Sequence, residues 1–235
     1  MKTILAAIAG PDLELDPAIR LVVFPGAEAR AVRARRLDTF LAQAAAYARR
    51  QRTYVVPGLY VKDEALCLCL LDETGDVVLE QQATHLNRSW AGDLRRGDVV
   101  TVAEAPFGKV ALCPDVDVYK GEAVRIAALQ GAEVLVSVQV IQAQDYSREM
   151  VLAGAWQQAQ QNCLFVLSTS NLHGCILGPC ETASDGSGFL AEISSTTPLQ
   201  AELSAEKRLA AYKAFPVFKS LNPRLYRNHL DELCK

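Results

Sequence analysis

Three apolar, β-branched runs at residues 109–113, 133–140 and 164–169 are separated by two stretches of helical periodicity, 122–130 and 146–161. This alternation constrains the chain more than any other feature. A strand–helix–strand–helix–strand series has few packed solutions, and here the helices must cover one face of the sheet that the strands share. Gly131 follows the first helix as a C-terminal cap, and Asp145 stands where the second needs an N-cap. A shorter unit of the same kind precedes it: a strand at 21–24 ended by Pro25-Gly26, a helix at 28–52, and a strand at 53–61. An apolar run at 4–9 reads as the first strand. A hairpin joins 66–72 to 77–82 across Glu73-Thr74-Gly75-Asp76, and 99–103 pairs with 109–113 around Pro106-Phe107-Gly108. Beyond residue 174, turns alternate with short strands as far as 203. A helix follows at 205–212, and from about 219 the tail reads as irregular and polar. Periodicity alone gives an α/β protein. Two halves packed sheet to sheet would make a four-layer α-β-β-α sandwich, one option beside the doubly wound folds. The 235 residues suit a single domain, 1–235.

Composition removes several function classes. A net charge of -3 gives no general attraction to nucleic acid or to an anionic membrane surface. The arginines of the 28–52 helix read as a solvated face, because no aromatic interleaving accompanies them. No apolar run approaches the roughly 20 residues that span a bilayer, and the 4–9 run is too short for a secretion signal. Seven cysteines, an odd number without framework spacing, read as free thiols in a reducing cytoplasm. The three histidines are far apart and make no zinc signature, so neither metal nor cofactor is expected.

Several short motifs, in order, resemble the nitrilase or carbon–nitrogen hydrolase superfamily over most of the chain. Leu21-Val22-Val23-Phe24-Pro25 resembles the strand that ends there in Phe-Pro-Glu, and Tyr54-Val55-Val56-Pro57-Gly58 resembles the next. Thr84-His85-Leu86 is similar to a Lys-Thr-His-Leu motif, and Pro106-Phe107-Gly108-Lys109-Val110 to the run into the nucleophile strand. Gln130-Gly131-Ala132-Glu133-Val134-Leu135 and Asn222-Pro223-Arg224-Leu225-Tyr226 match later segments. The resemblance implies the four-layer sandwich. It also implies a homodimer or higher homo-oligomer paired through the helices that begin near Glu122 and Tyr146.

The family's reaction uses a cysteine nucleophile, a glutamate acid/base and a lysine for the oxyanion, because a nucleophile needs an adjacent base and developing negative charge needs a fixed positive partner. Carried over by position, these roles fall on Asp115, Gly26 and Ala83. Counting by the family's spacing from Gly108, from Gly131 and from Glu122 reaches the same residue, Asp115. None of the three has the required chemistry. Cys113 offers an alternative nucleophile, with Glu28 as an alternative acid/base. Strand alternation would face Cys113 the same way as Asp115 but roughly 6.6 Å deeper, beyond the tolerance at which about 1 Å costs about a hundredfold. Cys113 otherwise reads as a small buried residue, and Glu28 as the opening charge of a helix.

Asp115, Asp117, His85 and His173 are the candidate pocket residues. The expected ligand is a small amide or amine: Asp115 could floor a pocket for a cationic or amine ligand, form a weak cation site with Asp117, or simply bond backbone amides at a strand end. His85 reads as a structural histidine, and His173 could line the mouth. The expectation is a nitrilase-like domain without the family's chemistry that keeps the fold for binding or assembly. A divergent amidase using Cys113 is the alternative.

Overall fold

A computed structural model describes residues 1–26, 32, 36–88, 90 and 92–228. Two sheets form its centre. In the first, β1 (Ile4–Ile8), β2 (Ile19–Val23) and β3 (Tyr54–Val56) run parallel. On the far side, β5 (Ala65–Leu71) pairs with β3, β4 (Tyr60–Lys62) and the hairpin strand β6 (Val77–Gln82). In the second sheet β8 (Gly108–Pro114), β9 (Val134–Gln139) and β10 (Phe165–Ser170) are parallel. It is flanked by antiparallel β7 (Val102–Ala105) on one side, and by β11 (Gly174–Leu177) and β12 (Phe189–Ser194) on the other. β13 (Leu199–Leu203) crosses back to the free edge of β1.

Alternation along these strands builds three apolar layers. Ile8, Leu21, Val23, Leu68 and Leu70 of the first sheet meet Val110, Leu112, Val136, Phe165 and Leu167 of the second between the sheets. The opposite face of the first sheet carries Val22, Val55, Cys67, Cys69 and Leu71, which pack on Ala44, Tyr47 and Ala48 of helix α1 (Leu37–Gln51). The opposite face of the second carries Ala111, Cys113, Leu135 and Val166 under α2 (Gly121–Leu129) and α4 (Gln157–Asn162). The result is the α-β-β-α sandwich.

The structure corrects several expectations in detail. The helix expected over 28–52 begins at Leu37, because Val32 is extended and bridges Tyr60. Glu28 lies outside the described residues. The strand expected over 53–61 is two strands, broken where Pro57 cannot donate and Gly58 takes φ +117°. Ser147, not Asp145, caps the next helix by accepting from Met150 N–H. That helix is α3 (Arg148–Val151) continued through a π-helical turn at Leu152–Trp156 into α4. After α5 (Ala205–Ala214), the tail expected to be irregular from 219 contains α6 (Pro223–Asn228).

The carboxyl ends of β2, β3, β8, β9 and β10 all point to one end of the sandwich. The loops that leave them supply most of the site.

Candidate functional site

Asp115 directly follows β8 and opens a 3-10 turn, Asp115–Tyr119, with φ +49°. A non-glycine residue in this left-handed region is strained and persists where its surroundings hold it. Here the surroundings are hydrogen bonds. Val140 N–H donates to Asp115 Oδ1 at 3.1 Å, and Asn87 Nδ2 donates to Oδ2 at 2.7 Å. The carboxyl is buried, and burial raises its pKa to about 6 against the lowering pull of the Val140 amide and the neighbouring Trp90 indole. Among the described residues the buried Trp90 Nε1–H has no partner in bonding geometry.

Asp115 borders an open cleft of about 1090 Å³. Among the described residues, its walls carry Phe24, Phe40, Leu59, Trp90, Val138 and Val140. Tyr119 and Gln139 also border it, and among the described residues Arg36, Arg88 and Asp145 join Asp115 as its charged members. Tyr119 Oη donates to Gln139 Oε1 at 2.7 Å, and Gln139 Nε2 donates to Ser168 Oγ at 3.0 Å and more weakly to Ser137 Oγ. The cleft therefore combines an apolar body with a few fixed polar groups, the usual makeup of a small-molecule site.

The other anticipated residues are distributed differently. Gly26 lines the cleft, but a side chain there has no room. A Cβ at Gly26 would lie 3.0 Å from Asn171 N and 3.1 Å from Ser170 C, so the backbone after β10 occupies the space a longer residue would need. Ala83 is buried in the core between the sheets; its N–H donates to Leu66 O and its carbonyl accepts from Gly97 N–H, both at 2.8 Å. Cys113 does not border the cleft. It packs on the helix side of β8, and the left-handed turn at Asp115 breaks the alternation that would have faced the two residues alike. Burial, then the charges of Asp117 and Asp115, push the Cys113 thiol well above its ordinary range.

Asp117 is an anchor. Its Oδ1 accepts from Thr84 Oγ1 at 2.9 Å and from His85 N–H at 2.8 Å, its Oδ2 accepts from Thr84 N–H at 2.8 Å, and His85 Nδ1 lies 2.9 Å from Oδ1. The far nitrogen of His85 meets Glu122 Oε1 at 3.1 Å, so this histidine ties the 84–85 loop to the start of α2. His173 is buried at the β10–β11 turn, its Nδ1 3.0 Å from Ser170 Oγ and its ring 4.7 Å from that of Tyr146. Burial lowers its pKa to about 4. Neither histidine borders the cleft.

Asn87, Tyr119 and Gln139 were missed by sequence reasoning, and Trp90, which reads from the sequence as a packing residue, packs in the core and also lines the cleft. Gln139 had a signal, since a glutamine inside a β-branched buried strand needs partners. Asn87 and Tyr119 had none. Among the described residues no group of three or more His, Cys, Asp or Glu side chains is placed to hold a metal ion, and no helix is long and apolar enough to cross a membrane.

No protein-family model matches the chain, and no curated protein matches it in sequence. Solved structures do match. Nit3 of Saccharomyces cerevisiae, a member of branch 10 of the nitrilase superfamily, is 17% identical with a TM-score of 0.77, over 93% of this chain and 96% of that one. A carbon–nitrogen hydrolase from Helicobacter pylori is 17% identical with a TM-score of 0.74, over 97% and 98%. An amidase from Nesterenkonia is 17% identical with a TM-score of 0.70, over 96% and 95%. The chain has the nitrilase-superfamily fold.

Proposed function

We propose that this chain, built on the nitrilase-superfamily fold, is catalytically silent toward carbon–nitrogen bonds and uses its cleft to bind a small ligand. One observation carries the reading: the described residues that border the cleft include no cysteine, histidine or lysine, and its buried polar end is the Asp115 carboxylate. Acyl transfer needs an activated nucleophile, a base within reach and a donor for the oxyanion. The positions matched to those roles hold a carboxylate, a glycine pressed on backbone and a core alanine. A lysine at 83 would bring an ammonium into the apolar layer between the sheets, at high cost.

The test is an assay of purified protein on ω-amides, N-carbamyl compounds and nitriles. No turnover is expected. Turnover that disappears in Cys113→Ala overturns the reading in favour of a divergent amidase. Thiol labelling separates the two independently, because a nucleophilic cysteine reacts quickly at neutral pH while a buried, raised-pKa thiol does not.

Assembly is the second part of the reading. Ile126 and Leu129 of α2 are exposed apolar residues on the outer helix layer, which supports pairing of two copies through that layer. The free thiols of Cys67, Cys69, Cys113, Cys163 and Cys175, all buried, fit a reducing compartment such as the cytoplasm.

A further inference from the structure

Asp115 is 1% exposed, and among the described residues it makes no ion pair. A buried carboxylate without a counter-charge is costly. An ionised carboxylate has about four acceptor sites. Val140 and Asn87 take one site on each oxygen, and the Trp90 indole and Val116 amide also pull on the carboxyl, which leaves part of its acceptor capacity. The second carboxylate, Asp117, adds negative charge nearby while spending its own acceptors on Thr84 and His85. The buried end of the cleft is thus anionic, with no cation paired to it among the described residues. Among the described residues, the exposed charged side chains that border the same cleft are the reverse, two arginines, Arg36 and Arg88, against one carboxylate, Asp145. Phe24, Phe40, Leu59 and Val138 supply apolar wall to the same cleft.

We propose that the cleft binds an ω-amino acid, with its primary ammonium on Asp115, its methylene chain along the apolar wall and its carboxylate against Arg36 and Arg88. The inference rests on the reading of the cleft as a binding site and adds the class of ligand. An ammonium brings three donors to the free acceptor positions and supplies the missing counter-charge. The exposed guanidinium side chains that border the same cleft suit the ligand's carboxylate. Burial that raises the Asp115 pKa is the cost of holding this group ready, a pattern frequent at functional sites.

The experiment is calorimetric titration of the full chain at neutral pH with a homologous series of ω-aminoalkanoates, each beside the n-alkylamine and the alkanoate of equal length. One aminoalkanoate is expected to bind about tenfold or more tighter than either matched probe, an advantage of about 1.4 kcal/mol. Asp115→Asn should abolish binding of both amine-bearing probes. Arg36→Gln with Arg88→Gln, two exposed changes that leave the core intact, should remove only the advantage of the aminoalkanoate over the amine. Equal binding by the alkanoate, unchanged affinity in Asp115→Asn, or no binding by any probe overturns the proposal. The ω-amino amide of the best length separates this from the silent-site reading. Its hydrolysis would sink that reading while leaving the ligand class standing, and absence of both binding and hydrolysis would sink the ligand class alone.

Discussion

Asp115 is where residue-scale physics is most exposed. Its carboxyl titrates near 6 in the folded chain and near the usual 3.8 when unfolded, chiefly because burial disfavours the charged form. Below about pH 4 the group is neutral in both states. Between pH 4 and 6 the folded chain keeps a proton that the unfolded chain has lost, so stability falls as pH rises, by about 3 kcal/mol in all. Asparagine never ionises and escapes this loss, although its amide must turn one NH2 toward a donor. Asp115→Asn is therefore expected to be more stable than the parent by about 1–3 kcal/mol at pH 8 and no more stable at pH 4. Denaturant unfolding across that range checks it, and a pH-independent difference would refute the assignment. His173 works in the opposite sense. Its lowered pKa adds stability above about 6.5 that is lost as pH falls toward 4, so in His173→Gln the acid limb of the stability profile should flatten.

At the scale of elements, the cleft depends on the irregular helix behind it. The π-helical turn at Leu152–Trp156 places Gly154 against Tyr119, where an added Cβ would come 2.5 Å from Tyr119 Cε1. Single π turns inside α-helices are often found at functional sites. Here the turn lets Tyr119 reach Gln139, which in turn bonds Ser168 and Ser137 across β9 and β10. Gly154→Ala is expected to cost about 1–3 kcal/mol by overpacking and to weaken ligand binding. Tyr119→Phe, which keeps the packing and removes only the bond to Gln139, should cost about 1 kcal/mol. Thermal unfolding of the two variants side by side distinguishes packing from hydrogen bonding. The elements themselves were largely legible in the sequence. Residues 133–140 gave β9 and 122–130 gave α2 because apolar periodicity reports directly on which face is buried. The π turn was not legible, since residues 146–161 have ordinary helical periodicity and only contact with Tyr119 gives Gly154 its meaning.

For the whole molecule, the sandwich leaves its outer helix layer with apolar residues facing outward. Pairing of two copies through α2 predicts a dimer by light scattering. The double change Ile126→Lys, Leu129→Glu should give a monomer with an unaltered far-ultraviolet spectrum, while a parent that already runs as a monomer would remove the proposed interface. The same architecture fixes how the two halves meet. β2 ends in Phe24-Pro25-Gly26 directly against the backbone of Ser170 and Asn171, so the first sheet closes on the second at the rim of the cleft. Glycine tolerates that approach because it has no Cβ. Gly26→Ala should cost on the order of 1–3 kcal/mol, measured by denaturant unfolding.

The sequence by itself determined the alternation of strands and helices, the two halves and the order of motifs. Each follows from local periodicity and spacing, which the chain carries in one dimension. It also placed Asp115 at the end of the strand that carries the site. Tertiary structure alone decided what that position means. Strand alternation predicted that Cys113 and Asp115 would face the same way. The left-handed turn at Asp115 separated them, putting the thiol under the helices and the carboxylate in the cleft. The residues that line the site, Asn87, Trp90, Tyr119 and Gln139, come from three separate segments of the chain, and only the folded chain brings Asn87 to the Asp115 carboxylate and Tyr119 to Gln139 beside it.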